Sequence, residues 1–388
     1  MVPIRYNVRS LLVRKRTSVA AAAGIALVVF VFASALMLSD GITRTLVSSG
    51  EPDVAIAVRK GSQAELESVI EEEKANLVLA GPGVKRDGNG GPIGVAEVVV
   101  VASMQKEGVQ GMSNLTIRGV PEKGMAFRSS VHIVEGRPAK FGAPEAIIGQ
   151  RIRGRFKGVD LGSTFELRKN LPITVVGVFE DGGSAFESEV WTDVELVRTG
   201  YKRTGMISSI RARLDSPSKM EAFKTAIESD KTLGLDVRPE REFYERQSTD
   251  TKIFVTALGV MIAIFFSLGA MIGAMITMYA AVSNRQREIG TLRALGFSRF
   301  SILISFLFEA VVLALAGGII GALASVAMGF VKFSMMNFVS FSEVVFSFTP
   351  TPQIIITALL FSCGMGLLGG FAPAVRAARM SPLAAIRD

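Results

Sequence analysis

Four runs with almost no charge, each long enough to cross a bilayer, constrain this chain more than any other feature. Val19–Leu38 holds 20 uncharged residues and Ile253–Val282 holds 30. Ile302–Val331 carries a single acid, Glu309, and Ile354–Phe371 carries no charge. A helix rises about 1.5 Å per residue, so roughly 20 apolar residues span ~30 Å of hydrocarbon. The second run, as a helix of about 45 Å, exceeds that thickness, and part of it is expected to project as a stalk. The first run could instead be a cleaved leader, because Ala33-Ser34-Ala35 resembles a cleavage site. Its length, and the basic segment with its own helical pattern before it, favour an anchor.

Charge is distributed around these runs in a telling way. The net charge of +8 over 388 residues, with a mean hydropathy of +0.40, would suggest nucleic-acid binding only if the basic residues formed a soluble face. They do not. Arg5, Arg9, Arg14, Lys15 and Arg16 precede the first run, Arg285, Arg287, Arg293 and Arg299 separate the second from the third, and Arg376, Arg379 and Arg387 follow the fourth. Basic patches abutting apolar spans are the positive-inside pattern, which puts both termini in the cytoplasm and excludes a nucleic-acid partner. Residues 3–16 read as an interfacial helix on the cytoplasmic leaflet, with Ile4, Val8, Leu11 and Leu12 on one face. The one cysteine, Cys363, lies inside an apolar run, so no internal disulfide can form, and the one histidine, His132, cannot by itself make a histidine-based metal site.

The expected organisation is a membrane protein with four transmembrane helices and a large extracytoplasmic α+β domain. It divides as an amphipathic segment 1–17, spans at 18–39, 252–282 with its stalk, 300–331 and 354–373, an outer domain at 40–251, a cytoplasmic linker at 283–299, a short outer loop at 332–353 and a tail at 374–388. In the outer domain, Asp53–Arg59 reads as a strand. Ser62–Glu73 reads as a helix opened by a Ser62-x-x-Glu65 capping box, and Val95–Ser103 as a β-rich run. Ile207–Leu214, Ser216–Ser229 and Leu235–Arg238 repeat the strand–helix–strand pattern. Two such units (45–103 and 201–245) predict a ferredoxin-like sandwich, with a β-rich insertion at 104–200. Gly81–Gly94 reads as a flexible loop, since its glycines lack phosphate-binding spacing.

Ser283–Gly296, SNRQREIGTLRALG, lies between the second and third spans. Ile289, Leu292 and Leu295 predict one apolar side, opposite Arg285, Arg287, Glu288 and Arg293, and Gly296 predicts a helix end. Pinned between two spans, such a helix has to lie along a membrane surface, open to a soluble partner. Small residues recur at helix-face spacing: Gly269, Gly273 and Thr277 in span two, Gly317, Gly321, Ser325 and Gly329 in span three, Gly366 and Gly370 in span four. Such faces let helices approach closely in lipid. Glu309, a turn or two from the cytoplasmic interface, reads as an anchor for arginine or as an interfacial switch. No span carries several polar groups, so no lined aqueous path is expected.

Taken together, these residues resemble the MacB/FtsX-type ABC transporter permeases. The resemblance rests on the one-span, outer-domain, three-span layout, on Glu288-Ile289-Gly290 with Arg293-Ala294-Leu295-Gly296 between spans, and on VEGRPA, EAIIGQRI, FEAVVLALAGGIIG and PAVRAARMSPLAAIR. It implies Porter-like flanking parts and a Sabre-like insertion in the outer domain. It also implies that Arg285, Arg287, Glu288, Ile289, Leu292, Arg293 and Leu295 form a coupling helix docking on an ABC ATPase subunit. No Gly-x-x-x-x-Gly-Lys-Ser/Thr is present, so ATP and Mg are expected on a separate partner and the chain is expected to be non-catalytic, without cofactor or metal. The remaining expectations are a bacterial inner-membrane location among lipids, a homodimer or a heterodimer with a paralogous permease, a periplasmic adaptor and an outer-membrane duct. The work expected is mechanotransmission for export or extraction of a lipid, lipoprotein, peptide or drug-like substrate. The alternative is an FtsX-like transducer that controls an extracytoplasmic enzyme such as a cell-wall hydrolase.

Overall fold

A computed structural model describes residues 15–337 and 339–380. The expected amphipathic segment before residue 15 and the tail from 381 lie outside the described residues. The chain forms two compact units. One takes the chain up to Asp40, Phe254–Val331 and the chain from Phe348, and the other takes Gly41–Ile253 with Lys332–Ser347.

The first unit is helical. Its helices are α1 (Lys15–Val47) and α2 (Glu240–Asn284), whose residues 41–47 and 240–253 belong to the other unit, with α3 (Gln286–Ala294), α4 (Arg299–Val326) and α5 (Pro352–Arg379). Among the described residues, four helices are long and apolar enough to cross a membrane, and these are α1, α2, α4 (with the turn that continues it to Phe330) and α5. Helix α1 continues past its apolar run to Val47, and α2 begins at Glu240, well before Ile253. Both therefore exceed the sequence boundaries, because polar residues with good helix propensity flank the apolar run without a breaker. Ser298 caps α4 by accepting from Ser301 N–H at 3.1 Å. Thr351 caps α5, whose first turn opens on Pro352.

Small residues bring three of these helices into contact. A Cβ on Gly317 or Gly321 would fall 2.5 or 2.3 Å from the Ala22 or Ala26 carbonyl oxygen of α1. On Gly366 or Gly370 it would fall 2.6 or 2.4 Å from the Ala314 or Ala310 Cβ of α4. Ser325 is buried on α4 and returns its hydroxyl to Ala322 C=O. Ser362 on α5 donates to Ala314 C=O at 2.5 Å, a hydrogen bond between two spans. Gly269 and Gly273 depart from the expected packing. Nothing lies within 4 Å of a Cβ at either. They line an open apolar groove of about 320 Å³ with Ala21, Gly24 and Val28 of α1. The physical reason is that α2 meets its neighbours elsewhere, at Gly259 against Ala35 and at Met271 against Gly369.

The second unit is α+β. Its strands are β1 (Val54–Arg59), β2 (Ile70–Glu71), β3 (Gly94–Gln105), β4 (Met112–Val120), β5 (His132–Gly136), β6 (Glu145–Gly149), β7 (Thr164–Arg168), β8 (Leu171–Glu180), β9 (Glu189–Asp193), β10 (Met206–Ile207), β11 (Ser209–Arg213), β12 (Leu235–Pro239), β13 (Lys332–Met336) and β14 (Glu343–Ser347). The main sheet runs β12-β1-β11-β3-β4-β9-β6-β8-β5, with β7 on β8. Its first four strands, with helices Glu73–Leu79 and Met220–Ser229, make the ferredoxin-like arrangement of two split β-α-β units. Their core is Ala55, Ala57, Val78, Ile210, Ala212, Phe223, Ile227 and Val237. Strand β3 joins the two halves, because Gly94–Glu97 pair with β11 while Val98–Gln105 pair with β4.

Two expectations in this unit are corrected. Ser62–Glu73 is not a helix: it forms a 3-10 turn at Glu65–Glu67, strand β2 and the approach to the helix Glu73–Leu79. The Glu65 carboxylate makes no capping box because arginines draw it into the interior, as described below. Residues 332–353 are not a plain loop either. β13 and β14 form an antiparallel hairpin that belongs to the α+β unit. Val344, Val345 and Phe346 are buried there, and Glu343 pairs with Lys106 at 2.7 Å and accepts from Ser113.

Candidate functional site

The short helix α3 is built to hold one face inward and show the other. Three hydrogen-bonding groups end it. Leu295 N–H reaches Thr291 C=O, Gly296 N–H reaches Arg293 C=O, and Phe297 N–H reaches Leu292 C=O at 3.1 Å. The last two define a Schellman motif, and Gly296 supplies the left-handed residue with φ +92°. Ile289 is buried in a cluster with Met278, Val282, Ile302, Phe306 and Ala374. Arg285 is buried as well. Its Nε sits 2.9 Å from Glu288, its Nη1 sits 3.0 Å from Glu309, and its guanidinium lies over the Phe306 ring. Sequence reasoning placed Arg285 and Glu309 separately, and the structure brings them together as an anchor between α3 and α4.

What remains outward is Arg287, Glu288, Thr291 and Leu295, while Leu292 and Arg293 are half-buried. Arg293 donates to Phe297 C=O at 3.0 Å. The single apolar side expected from Ile289, Leu292 and Leu295 is corrected. Six residues of α-helix turn through about 600°, which puts Leu295 some 120° away from Ile289. The exposed face is thus mixed, with two charges of opposite sign beside a bare leucine.

A second constellation escaped the sequence reading. Inside the α+β unit, Arg118, Arg128 and Arg211 meet Glu65, Glu97, Glu189 and Glu240, all buried. Arg118 grips Glu189 with two bonds, Nε at 2.7 Å and Nη2 at 2.8 Å, and also donates to Glu65 and Glu97. Arg128 holds Glu97, and Arg211 bridges Glu97, Glu65 and Glu240. Tyr244 donates to Glu65 at 3.1 Å, and Trp191 Nε1 donates to Glu189 at 2.8 Å. Burial alone would push the Glu65 and Glu97 carboxyls up. The arginines outweigh it, taking Glu65 well below the carboxylate range and Glu97 to about 2. Glu240 goes the other way, since burial outweighs Arg211. Glu97 was the one hint available, as the sole charge in the run Val95–Ser103. Among the described residues, no group of three or more His, Cys, Asp or Glu could hold a metal ion.

Four helices long and apolar enough to cross a membrane, with the short helix α3 between two of them, accompany a ferredoxin-type α+β unit. Comparison with known proteins supplies the class. A family model of the MacB-like periplasmic core domain matches residues 18–230, and one of the FtsX-like permease C-terminal matches residues 260–382. The chain belongs to the MacB/FtsX-type family of ABC transporter permeases. It is 26% identical over 369 residues to a macrolide export ATP-binding/permease protein MacB of Rhodospirillum rubrum, covering 85% of this chain and 55% of that one. A probable export ATP-binding/permease protein of Pseudomonas fluorescens is 31% identical over 294 residues, 72% of this chain and 42% of that one. An uncharacterized ABC transporter permease, YknZ, of Bacillus subtilis is 26% identical over 233 residues, 56% of this chain and 54% of that one. The chain spans about half the length of the curated relatives it matches. The solved extracellular domain of a YknZ from Gram-positive bacteria aligns with a TM-score of 0.35 and 17% identity, over 48% of this chain and 99% of that one. The periplasmic region of MacB from Actinobacillus actinomycetemcomitans aligns with a TM-score of 0.37 and 11% identity, over 50% and 92%.

Proposed function

We propose that this chain is the permease of an ABC transporter of the bacterial inner membrane and transmits force from ATP hydrolysis on a separate subunit to its extracytoplasmic α+β unit. Helix α3 is the coupling helix. One observation carries the reading: α3 is locked at its rear by Ile289 and by the Arg285–Glu309 pair, and it leaves Arg287, Glu288 and Leu295 outward. A helix fixed to α4 in this way would pass a push at its outer face into the spans rather than slide over them. Both termini and α3 then lie in the cytoplasm, in line with the basic patches beside the spans. The open groove with Gly24, Gly269 and Gly273 supports contact with a second copy, or with a paralogous permease, along α1 and α2. Substrates of the lipid, lipoprotein, peptide or drug-like class, a periplasmic adaptor and an outer-membrane duct belong to the same reading.

The test is co-purification of the tagged full chain with an ATP-hydrolysing subunit from its native host. Arg287→Glu combined with Leu295→Asp should abolish recovery of that subunit while the permease remains folded. Unchanged recovery would refute docking at α3. A second reading is favoured by the FtsX-like match over 260–382: the same movement would activate a cell-wall hydrolase, and nothing would be exported. Crosslinking that captures a hydrolase, with no adaptor or duct, would select it.

A further inference from the structure

We infer that residues 181–188, the connection between β8 and β9, are a positioning joint through which the α+β ends of α1, α2 and the β13–β14 hairpin are mechanically coupled. The inference rests on the proposed transmission of helix movement to the α+β unit. Three separate attachments meet on this one connection. Just past α1, Ser49 Oγ accepts from Ala185 N–H at 2.9 Å. From the hairpin, Val345 N–H donates to Ser188 Oγ at 3.0 Å. From the first turns of α2, the Tyr244 ring stands edge-on to Phe186 with centroids 5.7 Å apart. Arg151 ties two of these, α1 and the hairpin, to the connection a second time. It pairs with Glu187 at 3.0 Å, donates to Val345 C=O at 2.6 Å and reaches Thr45 in the last turn of α1 at 3.3 Å.

The connection itself is stiff. Ser184 through Ser188 are all buried. A buried connection is tolerated only if its backbone polar groups find partners. The Glu187 carboxylate supplies them by accepting from Asp181 N–H at 2.9 Å and Gly183 N–H at 2.7 Å. Phe186 lies under two guanidiniums, Arg118 at 4.9 Å and Arg128 at 4.7 Å, which adds the buried ionic cluster to the assembly. Gly149 completes the seat, since a Cβ there would fall 2.1 Å from Glu187 C=O oxygen. Displacing any one attachment therefore moves atoms that the other two hold.

The test is hydrogen exchange on the full chain in lipid nanodiscs, with no nucleotide and no partner subunit. Ser188→Ala removes only the acceptor for Val345. Exchange should rise about fivefold within 343–347 and also within 41–49 and 240–248, elements that Ser188 has no hydrogen bond to. The control is Ser113→Ala, which removes one hydrogen bond to Glu343 of the same hairpin, leaves its pairing with Lys106, and touches none of 181–188; its effect should stay in the hairpin. An effect of Ser188→Ala confined to 343–347, or an equal spread from Ser113→Ala, overturns the joint. If Ser188→Ala does not fold, Ser49→Ala asks the same from α1, and exchange in 343–347 should then rise; unchanged exchange there overturns the joint. Because no ATP-hydrolysing partner enters the measurement, loss of docking at α3 and loss of the joint are separate outcomes.

Discussion

Arg285 Nη1 donates to Glu309 Oε2 across 3.0 Å, and both side chains are almost fully shielded from solvent. The pair joins the start of α3 to the third span. Removing Glu309 takes from Arg285 its buried counterion and leaves it the more exposed Glu288, so the cost should stay below the about 3–5 kcal/mol of a wholly uncompensated buried charge. Glu309→Ala and Arg285→Ala should each lower the melting temperature of the detergent-purified protein sharply. The double variant Arg285→Gln with Glu309→Gln should fall short of the sum of its single variants. Strictly additive melting shifts would show that the two side chains contribute independently.

The ionic cluster of the α+β unit makes a prediction about pH. Glu97, about 2 against an ordinary 4.5, and Glu65, lower still, have depressed folded-state values. Their contribution to stability is present above 4.5 and is lost as pH falls from there toward about 2. Glu240, raised by burial, acts in the opposite sense, losing stability as pH rises above 4.5. Two depressed groups against one raised group leave acid as the destabilising direction. Trp191, the one tryptophan of the chain, donates into this cluster and reports on it directly. Its emission should hold steady from neutral pH down to about 5 and shift to the red below that. Glu97→Gln should flatten the lower part of the transition, and an emission unchanged down to pH ~2 would contradict the assignment.

Glycines with and without neighbours should respond differently to the same side chain. Gly321→Val has to displace the α1 backbone at Ala26 and should cost about 1–3 kcal/mol, read as a lower melting temperature. A Cβ at Gly269 meets nothing within 4 Å, and Gly269→Val should leave the melting of the monomer unchanged. If a second copy covers the α1–α2 groove, Gly269→Val should lower the dimer fraction measured by light scattering.

The end of α3 offers a smaller test. Gly296 sits at φ +92°, where a Cβ is strained by roughly 1–2 kcal/mol. Gly296→Ala should fray the last turn, seen as faster hydrogen exchange at Leu295 through Phe297 and weaker recovery of the ATP-hydrolysing subunit. Exchange and recovery equal to those of the parent would mean the motif is dispensable.

The spans were legible because hydrocarbon imposes one requirement, length without charge, that sequence states directly. The ferredoxin-like strands were legible through alternation and turn residues, down to β1, β11 and β12. What misled was local chemistry overridden by distant partners. Ser62 and Glu65 have capping-box spacing, yet Glu65 lies 2.9 Å from each of two arginines drawn from β4 and β11. No local pattern reveals that Arg118, 53 positions away in sequence, will be its counterion. The face of α3 was misjudged for a simpler reason, since i and i+6 do not share a helix side. Gly269 and Gly273 show that spacing marks a close-packing surface without saying whether this chain supplies the surface opposite.

The β13–β14 hairpin enters the α+β unit from between α4 and α5, more than 75 positions beyond Ile253. Its Val344, Val345 and Phe346 fill part of that unit's interior. A soluble fragment cut at residues 41–253 would therefore expose a bare apolar bed and lose the Glu343 contacts. Secreting this domain for crystallisation, or exchanging it between relatives, calls for grafting 332–347 back on through a linker.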